Sequence, residues 1–255
     1  MKNPRDIRSV TNDWSNLSTA YNATRRGYPD ELYRYLMSLI KTAGLMTLDL
    51  GCGTGISTRE LRMHGLDVVG ADRDESMIAV AKDVSKEIRY VRATVAELPF
   101  QEGSFDVVTA FTAFHWFDDD ASVESIKNVL KPGGLFFAAL KENREDVRTA
   151  KITKEYHTIL KKYVGKDYNS AAKYEPYRTL KRHTFRDIQE KLFPVDEFYT
   201  IEDALTLIQS LSFWNLVLEE YRPKMLTELQ RMYERNLIEG KVLRTRVIKT
   251  VTGYR

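Results

Sequence analysis

The sequence predicts an α/β protein built on a doubly wound parallel sheet with helices on both faces. Short apolar runs alternate with helical stretches between about residues 45 and 140. The connections between them are short, as crossover units require. A glycine-rich turn, TLDLGCGTG at 47–55, joins the first apolar run to the first helix after it.

The elements follow in order. Residues 1–44 read as an N-terminal helical cover. In it, ELYRYLMSLIKTAG places Leu32, Tyr35, Leu36, Leu39 and Ile40 on one helical face, opened by Pro29 and Asp30 and closed by Gly44. The core, 45–140, gives a strand at LMTLDL, a helix at STRELRMHG, a strand at LDVVGAD and a helix at ESMIAVAKDV. Strands at IRYVRA and SFDVVTAF, a helix at DDASVESIKNVL and a strand at GLFFAAL complete it. Residues 141–240 are mostly helical in pattern, most clearly at IEDALTLIQSLSFWNLVL and PKMLTELQRMYERNLIEG. LRTRVIKTVTGYR, within 241–255, alternates and is rich in β-branched residues, so it reads as a final strand. The helices of 141–240 are thus expected as a substrate cap inserted before the sheet is completed.

Composition narrows the function. Lys and Arg number 39 against 36 Asp and Glu, without long runs of one sign, so the charge pattern argues against nucleic acid as substrate. Lys181, Arg182 and His183 read as a solvated helix face, with His183 exposed. Cys52 is the single cysteine, which excludes an intramolecular disulfide and suits a reducing compartment. No stretch reaches the roughly 20 apolar residues of a membrane span, and MKNPRDIRSV has no apolar signal core. These features predict a cytoplasmic protein with no membrane partner; they leave the oligomeric state open. No His/Cys/Asp/Glu cluster has metal-ligand spacing.

The glycine loop limits the ligand. Gly51 and Gly53 permit a tight turn and close backbone approach, and Gly55 stands where the helix begins. A dinucleotide loop has the spacing G-x-G-x-x-G; here the third glycine comes one residue early. Asp49, two residues before the first glycine, would repel a pyrophosphate and attract an ammonium. The Gly-Lys-Ser/Thr ending of a phosphate loop is absent. Asp72, at the end of the second strand, can accept two hydrogen bonds from a ribose diol. A ligand with a ribose, a base and a cationic amine is implied, and S-adenosylmethionine meets all three requirements.

Four ordered segments, TLDLGCGTG, VVGADRDESMI, ATVAELPFQEGSFDVVTAFTAFHWF and VLKPGGLFF, resemble the class I S-adenosylmethionine-dependent methyltransferases. The resemblance is nearer to the type 11 group of small-molecule methyltransferases, similar to trans-aconitate methyltransferase-like proteins. YNATRRGYP is similar to an N-terminal segment of that group, Y-x-x-x-R-P-x-Y-P, with Arg26 in place of the first proline. The resemblance implies a Rossmann-like seven-stranded sheet of order 3-2-1-4-5-7-6 with an antiparallel last pair. It implies that Asp49 meets the methionine ammonium, directly or through water, and that Gly51, Cys52 and Gly53 line the methionine part. Asp72 would hold the ribose, Arg73 and Met77 would lie beside the adenine, and Thr94 and Val95 would flank its edge. Phe111 would sit under the sulfonium end, and Tyr21 and Arg25, with Tyr28, would cover the cofactor.

The remaining candidates carry two readings each. His115 follows the fourth strand, where open α/β sheets bind ligands, and is a candidate general base or substrate partner. It can equally be a packed histidine, since transfer from a sulfonium needs no base. Trp116, Phe213 and Trp214 are candidate substrate contacts or core aromatics; Tyr174, Tyr177 and Tyr199 share that ambiguity. The function predicted is methyl transfer to a small organic acceptor. A methyltransferase on RNA or protein, and a cofactor-binding module without catalysis, are the alternatives.

Overall fold

The structure, a computed structural model, describes residues 26–40, 42, 44–164 and 174–255. Helix α1 spans Asp30–Leu39, β1 Met46–Leu50, α2 Ile56–Met63, β2 Asp67–Asp72, α3 Glu75–Val84 and β3 Arg89–Arg92. Then come β4 Phe105–Phe111, α4 Asp120–Val129, β5 Leu130–Asn143, α5 Ala150–Val164 and α6 Pro176–Arg182. β6 Arg186–Tyr199, α7 Ile201–Gln209, α8 Arg222–Glu234 and β7 Val242–Tyr254 complete the chain.

The strands form one seven-stranded sheet in the order β3-β2-β1-β4-β5-β7-β6, the order implied by the family resemblance. β1 pairs in parallel with β2 and β4, so that Asp49 stands between Gly70 and Thr109. β2 pairs in parallel with β3, and β4 with β5. β7 runs against β5: Gly133 and Gly134 exchange backbone bonds with Arg255, while Arg144 N donates to Thr245 O. Contacts of Arg186 with Arg255 and of Thr250 with Lys191 give β6 and β7 the same antiparallel sense. The sheet is therefore mixed.

The chain divides into two compact units. One comprises residues 26–142, 173–193 and 248–255. Its core joins Leu48, Leu50, Val108, Phe114, Ile126 and Phe136, all essentially inaccessible. The central strands are apolar on both sides because helices cover both faces. The other comprises, among the described residues, 143–164 and 194–247, and packs α5, α7 and α8 around Ile208, Met225, Leu229 and Met232.

Two expectations change. The segment 141–240 is not purely helical, because β6 lies within it. β6 closes the strand order, and eight of its fourteen residues are charged, polar or proline, so no apolar run betrays it. The long helix read over IEDALTLIQSLSFWNLVL stops at Gln209 and gives way to a short 3-10 turn at Ser212–Leu216.

Candidate active site

The glycine loop leaves β1 and enters α2 with Gly51, Gly53 and Gly55 all at positive φ. They are not equivalent. A Cβ on Gly51 would lie 2.5 Å from that of Ala113, and one on Gly55 would overlap the Tyr90 ring. A Cβ on Gly53 would meet no atom of the described residues within 4 Å, so this turn of backbone presents an open face. Two glycines are needed for packing; the third leaves room for a ligand.

Behind the loop, the Asp49 carboxylate is fully buried. Ser57 and Thr58, at the start of α2, donate to its Oδ2 at 2.9 and 2.7 Å. Thr109 of β4 donates to its Oδ1 at 2.8 Å. Burial pushes its pKa up to about 6, with the three hydroxyls opposing that rise. A charge there has no cation among the described ion pairs, so the site favours a positive group placed near it.

Asp72, half-buried at the end of β2, accepts from Gly53 N through Oδ2 and from Asp74 N through Oδ1, both at 2.9 Å. Burial raises its pKa, and these amides pull it back. A carboxylate has about four acceptor positions, so two remain for a diol. Next to it, Asp74 caps α3 by accepting from Ser76 N and Met77 N.

Of the other candidates, Arg73 is exposed at the β2–α3 turn and its carbonyl accepts from Arg92. Met77 is buried on α3, Thr94 is exposed, and Val95 packs on the core. The Cys52 side chain turns away from the open face, into a cluster with Ile78, Ala81, Ile88 and Tyr90; only its backbone can line a ligand. Burial holds its thiol well above the ordinary range. Phe111, ending β4, packs its ring against Tyr28 at 5.0 Å, Tyr33 at 5.6 Å and Phe137 at 5.9 Å. His115 and Trp116 sit half-buried in the turn after β4, ring centroids 4.9 Å apart, with Tyr174 6.0 Å from His115. Tyr21 and Arg25 lie outside the described residues.

Three readings require correction. Phe213 and Trp214 are buried in the apolar core of the helical unit, which accounts for their character as packing. Tyr199 belongs to the same core. His183 is buried rather than exposed: Nδ1 meets Glu124 at 2.7 Å and Nε2 meets Asp120 at 3.0 Å, both on α4. Its basic neighbours in sequence conceal that α4 offers two carboxylates one turn apart.

Several residues were not singled out from sequence. The hydroxyls on Asp49 come from Ser57, Thr58 and Thr109, and only the pair at the head of α2 is near enough in sequence to have signalled itself. Thr112 follows Phe111 with φ at 50°, unusual for a β-branched residue, and its hydroxyl is hydrogen-bonded to the Tyr28 hydroxyl. No group of His, Cys, Asp and Glu among the described residues could hold a metal.

Comparison with known proteins gives a consistent result. Residues 48–138 match the family model described as a methyltransferase domain. An uncharacterised methyltransferase of Mycobacterium tuberculosis (strain H37Rv) is 31% identical over 168 residues, covering 64% of this chain. This chain spans 65% of that relative's length, just under two thirds. A ubiquinone biosynthesis O-methyltransferase of Marinobacter nauticus is 31% identical over 131 residues, 48% of this chain and 55% of the relative. Among solved structures, a candidate type II methyltransferase from Anaeromyxobacter dehalogenans superposes with a TM-score of 0.69 at 21% identity, over 90% of this chain and 97% of the other.

Proposed function

We propose that the chain is a class I S-adenosylmethionine-dependent methyltransferase, in keeping with its matched methyltransferase domain and its relatives, and that it transfers the methyl group of S-adenosylmethionine to a small organic acceptor by in-line displacement. The observation that carries the proposal is the open backbone at Gly53, its amide bound to the Asp72 carboxylate, in the loop that follows the buried Asp49 carboxylate of β1. These groups fit the cofactor: an uncompensated buried anion suits its ammonium, and an acid with unused acceptor positions suits its ribose.

When bound, the cofactor supplies a methyl group already activated by the sulfonium. The chain's residues bind and align. In this reading Gly51, Cys52 and Gly53 present backbone to the methionine part, and Asp49 acts as the anion behind them, directly or through water. Asp72 holds the ribose, while Arg73, Met77, Thr94 and Val95 surround the adenine. Phe111 belongs under the sulfonium end, where an aromatic ring favours a cation. Tyr21 and Arg25 belong to the cover in the same reading. Alignment alone can supply much of the rate. His115 takes up a proton where the nucleophile carries one.

Support for a small acceptor comes from the name of the Marinobacter relative and from the near balance of 39 basic and 36 acidic residues. No helix among the described residues is long and apolar enough to cross a membrane; a cytoplasmic location is part of the proposal. Calorimetry with S-adenosylhomocysteine and with NAD tests it. Binding of the first and not the second is expected; absence of S-adenosylhomocysteine binding would sink the reading.

A further inference from the structure

We propose that Tyr28, Thr112 and Lys141 form a clasp that positions the Arg26–Tyr28 segment at the rim of the glycine loop and thereby tightens the hold on S-adenosylmethionine. The proposal rests on the methyltransferase reading above and adds residues that the glycine loop and its two acids do not include.

The segment touches both sides of the loop's surroundings. A Cβ on Gly27 would lie 3.7 Å from Ile56 Cγ2 and 3.9 Å from Glu60 Oε1, so Gly27 packs on the first turns of α2, directly after the loop. One residue on, the Tyr28 ring lies 5.0 Å from Phe111 at the end of β4. The segment therefore reaches from the start of α2 to the C-terminal end of β4, the edge of an open α/β sheet where ligands bind.

Side chains at the ends of β4 and β5 fix it there. Lys141 Nζ donates to Gly27 O at 3.0 Å and to Arg26 O at 3.4 Å, and lies 4.9 Å from the Tyr28 ring centroid. Thr112 Oγ1 is hydrogen-bonded to the Tyr28 hydroxyl, 84 residues away in sequence. Thr112 holds this position at a positive φ of 50°, with its amide donating to Ala139 O at 2.6 Å. Glycine would adopt that backbone without strain. What threonine supplies there and glycine would not is the hydroxyl that Tyr28 engages. Backbone strain next to a ligand edge, held by a side-chain bond to another segment, points to positioning rather than to packing.

The test is calorimetry with S-adenosylhomocysteine on the full chain, with thermal melting of each variant alongside. Tyr28→Phe and Thr112→Val are expected to weaken binding about 3- to 10-fold each, the range for one lost hydrogen bond. The double variant should lose no more than the larger single loss, since both remove the same bond. Thr112→Ser should keep wild-type affinity. Thr112→Gly should melt at or above the wild-type temperature and still bind more weakly, a combination that a merely structural role does not produce. Lys141→Met should weaken binding and Lys141→Arg should restore part of it. Wild-type binding with unchanged affinity in Tyr28→Phe and Thr112→Val overturns the clasp and leaves the methyltransferase reading standing. Losses that only track lowered melting temperatures overturn it as well. If the wild type fails to bind, the methyltransferase reading falls, and the clasp with it.

Discussion

The Gly53 amide donates to Asp72 Oδ2 at 2.9 Å, tying the one open turn of the glycine loop to the end of β2. Asp72 is thus a brace for the loop as well as the proposed ribose contact. Asp72→Ala is expected to lower S-adenosylhomocysteine affinity at least tenfold, and to cost about 1–2 kcal/mol of stability from the two amides left without an acceptor. Affinity alone does not separate the two roles. Comparing adenosine with 2′-deoxyadenosine does: the wild type should prefer adenosine, and Asp72→Ala should lose the preference. A wild type indifferent to the 2′-hydroxyl would remove the ribose assignment.

Gly51 and Gly53 differ in what surrounds them, and alanine should separate packing from ligand space. At Gly51 the new methyl group would meet Ala113 at 2.5 Å, backed by a positive φ of 63°. Gly51→Ala should be destabilised by several kcal/mol, or about 2–4 in order of magnitude, and express poorly. Gly53→Ala meets no described neighbour within 4 Å and carries the left-handed strain, about 1–2 kcal/mol. It should fold, and it should lose cofactor affinity because the methyl group fills the open face. Chemical denaturation and calorimetry on both variants check this; a folded Gly53→Ala with wild-type affinity would place the ligand elsewhere.

Asp49 makes stability and binding respond to pH in opposite directions. Burial pushes its pKa in the folded chain up to about 6, above the ordinary aspartate value of 3.8. Between those values the folded state takes up a proton that the unfolded chain does not, so this group's contribution to stability rises as pH falls from 6 towards 4. At neutral pH the buried charge costs on the order of 3 kcal/mol. Asp49→Asn should therefore melt no lower than the wild type at pH 7.5, with a flatter stability profile between about pH 4 and 6. Affinity for S-adenosylhomocysteine should fall as pH drops below 6 in the wild type, and be low and nearly independent of pH in Asp49→Asn. Calorimetry and melting across pH 4.5–8 (on the order of half-unit steps) decide it.

His183 joins α6 to α4 through Glu124 and Asp120. Both ring nitrogens face carboxylates of α4. The Asp120 carboxyl is held below its usual range, first by the His183 bond and then by Arg182. This contribution is present above the unfolded carboxylate pKa and is lost as pH falls through the lowered folded value. His183→Gln should lower stability by about 1–2 kcal/mol without changing S-adenosylhomocysteine affinity. A loss of affinity at unchanged stability would instead give His183 a role in the site.

The core was legible because its signals are local. Alternating apolar runs, glycines at fixed offsets and acids at the ends of β1 and β2 are all written within short windows; they sufficed for the α/β class and the kind of ligand, while the strand order came from the family resemblance those segments carry. β6 was not legible: an edge strand exposes most of its side chains, so Arg186–Tyr199 lacks the apolar pattern of β1 or β4. The partners of Asp49 were half legible, Ser57 and Thr58 standing nearby in sequence and Thr109 arriving only through the β1–β4 register.

By itself, the sequence determined the doubly wound core, the glycine loop after β1 and the acids at the ends of β1 and β2, because backbone conformation and burial periodicity are set over a few residues. Tertiary structure alone decided which glycine stays open, that Cys52 turns inward, that His183 is buried between two acids, and that Thr112 reaches Tyr28. Those outcomes depend on which elements pack together, and long-range packing leaves no periodic mark along the chain.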